Sequence, residues 1–401
     1  MADKIRTTHV GSLPRTPELL EANARTTDGS IEKAEFNDIL QSSVDDVVRR
    51  QHELGIDIIN DGEYGHLSSG AIDFGAWWSY IFPRLAGLEL VDEEEPAVRS
   101  TPGNIQLTSF PDRRDWTLFR DAYQDPESGV LGGKPGGFAH PAITGELSYV
   151  GQDAVAADVN GLTAALDKVS HSTDDAFVAA VSPGSGARLL NKFYDSEDEL
   201  LDAAARALNE EYRAITDAGF TVQIDAPDLA EAWDQINPEP SIADYQAWIG
   251  KRIDAINTAL DGIPRDKARL HICWGSWHGP HTTDVPFGAI VDECLRADVG
   301  GLTFEGASPR HAHEWRVWSE NQLPENTLIY PGVVCHSTNV IEHPRLVADR
   351  ILQFTDIVGP ENVIASTDCG LGGRLHPQIA WAKLESLVEG AALASREIYG
   401  R

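Results

Sequence analysis

The chain has 401 residues, of which 42% are hydrophobic and 24% charged, the composition of a globular protein with a sizeable core. It carries 63 acidic residues against 32 basic ones, and the resulting net charge of −31 argues against nucleic acids and anionic membranes as partners. No apolar run of about 18 residues predicts a membrane-spanning helix, and the N-terminus lacks the apolar core of a signal peptide. We expect a cytoplasmic protein whose acidic residues cover a heavily solvated surface.

Apolar, strand-like runs alternate with amphipathic helical patterns, which is typical of a parallel α/β fold. The predicted strands, in chain order, are 9–12, 56–60, 141–145, 177–181, 221–225, 270–273, 301–305, 328–335 and 363–369. The predicted helices include 37–54, 196–218, 241–260 and 344–357. These nine strands exceed by one the positions of a (β/α)8 barrel, so one of them is either not a strand or lies outside the barrel.

The ends of the helical patterns and the spacing between elements support a single domain. The first two helical patterns stop directly before Gly55 and Gly219, and the third begins at Ser241, a typical N-cap residue. The stretch from Leu90 to Gly137 is rich in Pro, Gly and Asp and reads as an insertion after the second strand. No internal repeat or low-complexity linker divides the chain, so residues 1–401 are predicted to form one (β/α)8 TIM barrel.

Polar residues stand at the ends of strands that should otherwise be apolar. Parallel barrel strands are buried and normally read as apolar runs. Here several of them lead into side chains that bind metals or protons: Glu63, Asp225, His271 with Cys273, Glu305 and Cys369. The carboxyl ends of barrel strands converge on the face where active sites lie, so we expect these side chains to share one site.

The types of these residues indicate a zinc site. His271 and Cys273 are two residues apart on a strand and point to the same face, although such a pair alone is more often a core histidine beside a buried cysteine. Cys369 adds a second thiolate and Glu305 an oxygen ligand. One imidazole, two thiolates and a displaceable carboxylate suit catalytic, tetrahedral zinc. Such a zinc ion captures and deprotonates an incoming thiol, whose free pKa is about 8.5, for attack on an electrophilic carbon.

Six short motifs occur in order along the chain: Thr7–Arg15 (TTHVGSLPR), Asp61–Glu63 (DGE), Ile224–Pro227 (IDAP), His271–Cys273 (HIC), Phe304–Glu305 (FE) and Asp368–Leu371 (DCGL). In this order they resemble the C-terminal catalytic barrel of the cobalamin-independent methionine synthase family, over nearly the whole chain. The resemblance implies that zinc has four ligands: His271, Cys273, Glu305 and Cys369. Glu305 is the ligand that the incoming thiol is expected to displace.

The resemblance also implies a binding site for the substrate and a catalytic histidine. Ser12, Glu63 and Asp225 match positions that hold the amino and carboxylate groups of homocysteine, and their hydrogen-bonding chemistry fits those groups. The alternative for Glu63 and Asp225 is a structural ion pair at the barrel rim. His336 lies close to the family's catalytic histidine, which assists proton delivery to the departing methyl donor. The spacing to the preceding glycine differs by one residue, however, and Cys335 stands where an aspartate is more usual.

Some residues have no role fixed by the motifs. The cysteines do not suggest a disulfide framework in a cytosolic chain, and Cys294 and Cys335 fit buried apolar positions, although Cys335 is also a candidate extra thiol near the site. The segment after Glu63 is aromatic and reads equally as a lid over an apolar donor or as a core and subunit contact. Its aromatic residues are Tyr64, Phe74, Trp77, Trp78, Tyr80 and Phe82.

The resemblance leaves the alkyl donor open. The N-terminal barrel with which the full-length synthase helps to bind polyglutamylated folate has no counterpart in the motifs. Short relatives include archaeal methionine synthases that take methyl from a corrinoid protein, and epoxyalkane:coenzyme M transferases that open epoxides with a zinc-bound thiol. The expected partners are therefore a small-molecule thiol and an alkyl donor, with a corrinoid protein as one source of the methyl group.

Three functions remain. The first is zinc-dependent methyl transfer to homocysteine or a related amino-acid thiol, like that of 5-methyltetrahydropteroyltriglutamate–homocysteine S-methyltransferase. The second is zinc-dependent thiol transfer to another electrophile, such as an epoxide. The presence of Ser12, Glu63 and Asp225 favours the first, because a sulfonate thiol has no ammonium group for two carboxylates to hold. The third is a non-catalytic zinc-binding or metabolite-binding barrel, which Glu305 disfavours because a structural zinc site needs no weak fourth ligand.

Overall fold

A computed structural model describes residues 4–66, 80–91, 97–130 and 140–400. The strands in this part of the chain are β1 (Arg6–Thr7), β2 (Leu85–Val91), β3 (His140–Tyr149), β4 (Phe177–Val181), β5 (Leu190–Asn191), β6 (Thr221–Asp225), β7 (Ala268–His271), β8 (Gly301–Phe304), β9 (Leu328–Val334) and β10 (Ile364–Thr367). Seven of them form a parallel sheet in the order β1-β10-β9-β8-β7-β6-β4, and the other three form a separate sheet in the order β2-β3-β5.

The longer helices lie mostly between the strands of the parallel sheet. They are α1 (Pro17–Thr27), α2 (Lys33–Leu54), α3 (Gln152–Val169), α4 (Glu197–Asp217), α5 (Ile242–Ala259), α6 (Pro344–Val358) and α7 (Pro377–Tyr399). Shorter helices span Arg114–Leu118, Arg120–Gln124, Pro183–Gly186, Val291–Cys294 and Val317–Glu320. Within the described residues, no helix has the length and apolar character needed to cross a membrane.

The carboxyl ends of neighbouring strands lie side by side in the parallel sheet. The register pairs Val181 of β4 with Asp225 of β6, and Asp225 with His271 of β7. His271 in turn pairs with Thr303 of β8. Side chains at and just beyond these strand ends therefore enter one shared region.

Segment 57–59 links the two edges of the parallel sheet. The backbone oxygen of Thr7 in β1 accepts a hydrogen bond from the N–H of Ile58 at 3.0 Å. The backbone oxygen of Ile59 accepts one from the N–H of Phe177 in β4, also at 3.0 Å. The sheet is therefore curled, and its two edge strands are connected through this segment.

Six of the nine predicted strands are confirmed as β4 and β6 to β10. The predicted strand at 9–12 is wrong, because the strand is Arg6–Thr7 and the chain then turns at Gly11, whose φ is 141°. The run 141–145 belongs to β3, which pairs with β2 antiparallel and lies outside the parallel sheet. Its apolar residues are buried against α4 instead, since Ile143 packs in one cluster with Leu200.

The four predicted helices are confirmed, with boundaries that differ by at most four residues. The helix predicted at 37–54 begins earlier, at Lys33, and ends before Gly55, which adopts a left-handed φ of 89°. The Ser241 side chain accepts a hydrogen bond from the N–H of Asp244 at 3.1 Å and caps α5 as predicted. Capping and glycine signals thus placed these helix ends better than the apolar pattern alone.

The irregular stretch from Leu90 to Gly137 falls partly outside the described residues. Its described part is fixed to the loop that follows β6, where the N–H of Thr108 donates to the oxygen of Gln235 at 2.9 Å. The buried side chain of Arg113 forms an ion pair with Glu231 in the same loop. Because the loop begins where β6 ends, this part of the stretch packs on the side of the sheet where the polar strand ends lie.

Candidate active site

Three of the predicted metal ligands meet beyond β7 and β10. His271 is the last residue of β7, Cys273 follows two residues later, and Cys369 lies two residues beyond β10. One ligand atom from each lies within 4.8 Å of the others, and the two sulfur atoms are 3.8 Å apart. All three side chains are buried. An imidazole and two thiols so placed offer three of the four ligands of a tetrahedral zinc site.

A hydrogen bond to Asp225 orients the His271 ring. The Nδ1 atom of His271 lies 3.0 Å from Oδ1 of Asp225, which also accepts from Nε2 of Gln223 at 2.8 Å. Nε2 of His271 is buried and has no hydrogen-bond partner among the described residues. Burial lowers the pKa of His271, but Asp225 and Cys369 outweigh burial and raise it to about 10. With its Nδ1 proton held by Asp225, the ring presents Nε2 to a metal, as ligand histidines commonly do.

The two thiols differ in their acidity. The hydrogen bond with Cys273 lowers the pKa of Cys369 well below its ordinary value, and His271 and His336 add to this effect although burial opposes it. The same contact, together with burial, raises the pKa of Cys273. The N–H of Gly275 points at the Cys273 sulfur from 3.3 Å. Cys369 is therefore the more acidic thiol of the pair, and a bound cation would favour the thiolate form of both.

Glu305, the fourth predicted ligand, lies beside this cluster but does not belong to the set of atoms within 4.8 Å. It follows β8 directly, is buried, and its Oε1 accepts a hydrogen bond from the N–H of Trp274 at 3.4 Å. Burial raises the pKa of Glu305 to about 8, against the opposing charges of His311 and His281. The structure thus brings together His271, Cys273 and Cys369, and Glu305 lies outside this group of three.

Glu63, one of the two predicted substrate carboxylates, is affected electrostatically by the other, Asp225. Burial raises the pKa of Glu63 well above its ordinary value, and the negative charges of Asp225 and Asp61 add to the rise. Glu63 also has a left-handed φ of 59°, a conformation that costs a non-glycine residue about 1 kcal/mol or more and is often found at functional sites. Its N–H is held by Oδ1 of Asp61 at 2.9 Å.

Ser12 is packed against the segment that follows Cys369. Its backbone oxygen accepts hydrogen bonds from the N–H groups of Leu371 and Gly372 at 2.8 and 2.9 Å. A Cβ atom at Gly372 would lie 2.5 Å from the Ser12 hydroxyl, so only glycine permits this approach. Similarly, a Cβ at Gly11 would lie 2.0 Å from Oε1 of Glu63. These close contacts hold the Thr7–Arg15 motif against Glu63 on one side and against residues 371–372, which follow Cys369, on the other.

His336 lies two residues beyond β9 and is 1% exposed. Neither ring nitrogen has a hydrogen-bond partner among the described residues, and burial lowers the pKa of His336 to about 4. His336, Cys335 and Asp368 form a second group whose ligand atoms lie within 4.8 Å of one another. Burial raises the pKa of Cys335 to about 12, so that this thiol stays protonated near the site. Cys294 is fully buried in the hydrophobic core, as expected.

Several features of the site were missed by the sequence analysis. The contact between Asp225 and His271 gives Asp225 a second role beside the predicted one. His311 is buried in the loop after β8 and His281 is half-buried in the loop after β7, and their position after barrel strands is the signal that could have found them. Of the aromatic segment, Tyr64 and Tyr80 are buried, whereas Phe74, Trp77 and Trp78 lie outside the described residues.

Known proteins share sequence and fold with this chain. Residues 5–66 match the family described as "Cobalamin-independent synthase, Catalytic domain". The chain is 25% identical over 345 residues to 2-hydroxypropyl-CoM lyase of Xanthobacter autotrophicus, covering 78% of this chain and 82% of that protein. It is 23% identical over 406 residues to methionine synthase of Sulfolobus acidocaldarius, covering 99% of this chain and 95% of that protein.

A solved structure shows the same fold. The B12-independent methionine synthase from Shewanella sp. W3-18-1, in complex with selenomethionine, superposes with a TM-score of 0.71 at 17% identity, over 99% of this chain and 100% of that one. The family match covers the motifs Thr7–Arg15 and Asp61–Glu63, and the aligned relatives cover most of the remaining chain. The chain is therefore similar in sequence to cobalamin-independent methionine synthases over residues 5–66 and shares the fold of one of them.

Proposed function

We propose that this protein is a zinc-dependent methyltransferase that methylates homocysteine or a related amino-acid thiol to give methionine. The observation that carries the proposal is the cluster of His271, Cys273 and Cys369, within electrostatic reach of the carboxylates Glu63 and Asp225. A relative named methionine synthase that aligns over 99% of the chain supports methyl transfer. The catalytic unit is residues 1–401, acting in the cytoplasm as a (β/α)8 barrel in which segment 57–59 fills the eighth strand position and the region before β4 is an insertion.

The residues fit zinc by their chemistry and by one unpartnered atom. Two thiols and an imidazole are typical ligands of zinc, and the buried Nε2 of His271 has no hydrogen-bond partner in the part of the chain that the structure describes, so a metal could take that place. Glu305 is the fourth, exchangeable ligand. When bound, zinc lowers the pKa of a coordinating thiol, about 8.5 when free, far enough to hold it as a thiolate at neutral pH. The proposal therefore gives the chain a thiol substrate rather than a nucleophile of its own.

The chain's own residues hold the amino-acid end of that substrate. Burial and the negative charge of Asp225 raise the pKa of Glu63, and a substrate ammonium group beside these two carboxylates would favour the ionised form of Glu63. Among the described residues the Ser12 hydroxyl makes one long hydrogen bond, 3.5 Å to the oxygen of Gly372, so it can donate to the substrate carboxylate instead. Together these groups select a thiol that carries both charges.

His336 guides the proton to the departing methyl donor in this proposal. A neutral imidazole can accept a proton at one nitrogen and release one from the other. Both nitrogens of His336 lack partners among the described residues, so neither is committed to a structural hydrogen bond. The burial of the ring keeps bulk water from competing for the proton.

A second candidate is thiol transfer to an epoxide, with the same metal chemistry. It is favoured by one relative, the 2-hydroxypropyl-CoM lyase that is 25% identical to this chain. The two candidates differ in the thiol, because coenzyme M carries a sulfonate and no ammonium group. The names of the relatives described above mention no corrinoid protein, so a methyl-folate and an epoxide are the first donors to test.

Glu63→Gln tests the substrate assignment. Removing the charge should weaken homocysteine binding by roughly 1–3 kcal/mol, which is about 5- to 150-fold in Kd, because one charge-assisted hydrogen bond to the ammonium is lost. Titration calorimetry of the zinc-loaded protein measures this, with 4-mercaptobutyrate, which lacks the amino group, as the comparison thiol. Its affinity should not fall.

Two controls sharpen that test. Glu389→Gln changes an exposed carboxylate on α7 and should leave both affinities unchanged. Asp225→Asn tests the substrate assignment less specifically, because Asp225 also accepts a hydrogen bond from Nδ1 of His271. Zinc affinity should therefore fall along with homocysteine affinity. Equal homocysteine affinity in wild type and Glu63→Gln would count against an amino-acid thiol and in favour of coenzyme M or another thiol without an amine.

A further inference from the structure

A second group of candidate metal ligands lies beside the proposed zinc site. Cys335, His336 and Asp368 each offer one ligand atom, and these atoms lie within 4.8 Å of one another. Cys335 and His336 follow β9, whereas Asp368 follows β10. The N–H of Asp368 donates to the backbone oxygen of Val334 at 2.9 Å, which holds the ends of these two strands together. The three residues are at most 2% exposed, so the group is built into the protein interior.

The Asp368 carboxylate is held in one orientation and keeps one oxygen unused. Its Oδ1 accepts hydrogen bonds from the N–H groups of Gly306 and Ala307, both at 2.8 Å. A Cβ atom at Gly332 would lie 2.1 Å from the same oxygen, so the carboxylate fits there because residue 332 is glycine. Oδ2 is buried and has no hydrogen-bond partner among the described residues. A buried carboxylate oxygen without a partner is costly, and a bound cation would stabilise it.

His336 and Cys335 supply the other two ligand atoms. Neither ring nitrogen of His336 has a hydrogen-bond partner in the part of the chain that the structure describes, so either can bind a metal through its lone pair. The N–H of Ser337 lies 3.4 Å from the Cys335 sulfur. In the proposed zinc site the N–H of Gly275 lies 3.3 Å from the Cys273 sulfur. The donor stands two residues after the cysteine in both groups, and such a donor stabilises the thiolate form that binds metals.

We propose that Cys335, His336 and Asp368 bind a second zinc ion, more weakly than the proposed zinc site binds the first. One thiolate, one imidazole and one carboxylate suit zinc and leave a fourth position for water. On binding, the ion displaces the proton of the Cys335 thiol, which passes to the solvent. Asp368 directly precedes Cys369, so the two dications lie close together and repel each other, which weakens the second. A protein in which only the tighter site is filled therefore carries one zinc ion.

Zinc at this second site should inhibit the proposed methyl transfer. In that function His336 moves a proton with a free ring nitrogen, and a metal on the ring occupies the lone pair that this step needs. This consequence, unlike the site itself, rests on the proposed function. Excess zinc should therefore lower the turnover of the one-zinc protein, and a chelator that removes only the weakly bound metal should restore it.

Zinc titration of the one-zinc protein tests the site. Competition with a chromophoric chelator should detect a second equivalent in the wild type. Cys335→Ala should weaken the second equivalent at least about a hundredfold, since even the loss of an outer-shell partner commonly costs about 10- to 100-fold. Retention of the first zinc ion shows that the variant is folded. Cys294→Ala, a buried cysteine outside both groups, is the matched control and should bind both ions like the wild type.

A spectroscopic readout identifies the ligands without turnover. Cobalt(II) added to the one-zinc protein should give a sulfur-to-metal charge-transfer band in the wild type that Cys335→Ala lacks. His336→Asn should also lose the second equivalent while keeping the first.

The outcomes separate the second site from the proposed function. No second equivalent in the wild type overturns the proposal, and so does one that Cys335→Ala binds unchanged, because that zinc would lie on the acidic surface. A second equivalent that depends on Cys335, in a protein that methylates no thiol, supports the site and contradicts the proposed function alone. If zinc bound through Cys335 and His336 leaves turnover unchanged, the site stands and the catalytic role of His336 fails.

Discussion

Replacing either thiol ligand should strip the protein of zinc. Cys273 and Cys369 lie 3.8 Å apart with Nε2 of His271 as the third donor, so removing one sulfur leaves a buried site with two strong ligands and Glu305. We expect Cys273→Ser and Cys369→Ser each to lower zinc affinity by at least about a hundredfold, because even the loss of an outer-shell partner commonly costs 10- to 100-fold. Elemental analysis and competition with a chromophoric chelator measure the loss.

The control for this prediction is another buried cysteine. Cys294 is fully buried in the hydrophobic core and is not part of either candidate ligand group among the described residues. Cys294→Ala should keep about one zinc ion per chain, even though the small cavity it leaves lowers stability. Full zinc retention by both ligand variants would show that His271, Cys273 and Cys369 do not form the metal site.

Replacing His336 should remove turnover while leaving binding intact. General acid–base groups commonly contribute about 10²- to 10⁴-fold to rate, so His336→Asn should lower kcat by roughly that factor. Because burial lowers the pKa of His336 to about 4, the ring is neutral across pH 6–8, and the loss should be constant over that range. Single-turnover methyl transfer from a methyl-folate to homocysteine measures the effect.

The neighbouring thiol provides the comparison for His336. Cys335→Ala changes a buried residue beside the ring, and zinc content, homocysteine Kd and kcat should stay within a few-fold of wild type because its thiol remains protonated. Zinc content and homocysteine Kd should also be unchanged in His336→Asn. A kcat for His336→Asn close to that of wild type would remove His336 from the mechanism and leave the proton to water or to the donor itself.

The strand-end residues could be predicted because their signal is local. A histidine and a cysteine two apart at the end of an apolar run must face the same side, and the barrel rule brings separate strand ends together. That reasoning placed His271 and Cys273 beside Cys369, which lies 96 residues further along the chain from Cys273. The same local signals, a serine cap and a left-handed glycine, placed the ends of α5 and α2.

The remaining features depend on tertiary contacts that leave no periodic pattern. The bond between Asp225 and His271 follows from the register of β6 against β7, which the sequence does not state. His281 and His311 lie in irregular loops, where no period of two or 3.6 residues marks a buried side chain. The run 141–145 looked like a barrel strand because its apolar residues are buried, but they are buried against α4 rather than inside the curled sheet.

The central claim is that the metal activates the substrate's thiol, and X-ray absorption at the zinc edge tests it most directly. Without homocysteine the zinc should have two sulfur neighbours, from Cys273 and Cys369, and two nitrogen or oxygen neighbours, from His271 and Glu305. With saturating homocysteine the sulfur count should rise to three and one oxygen neighbour should be lost, because thiolate is a softer and better partner for this zinc than a carboxylate. A sulfur count that stays at two with homocysteine, coenzyme M and other small thiols would contradict thiol activation by this protein.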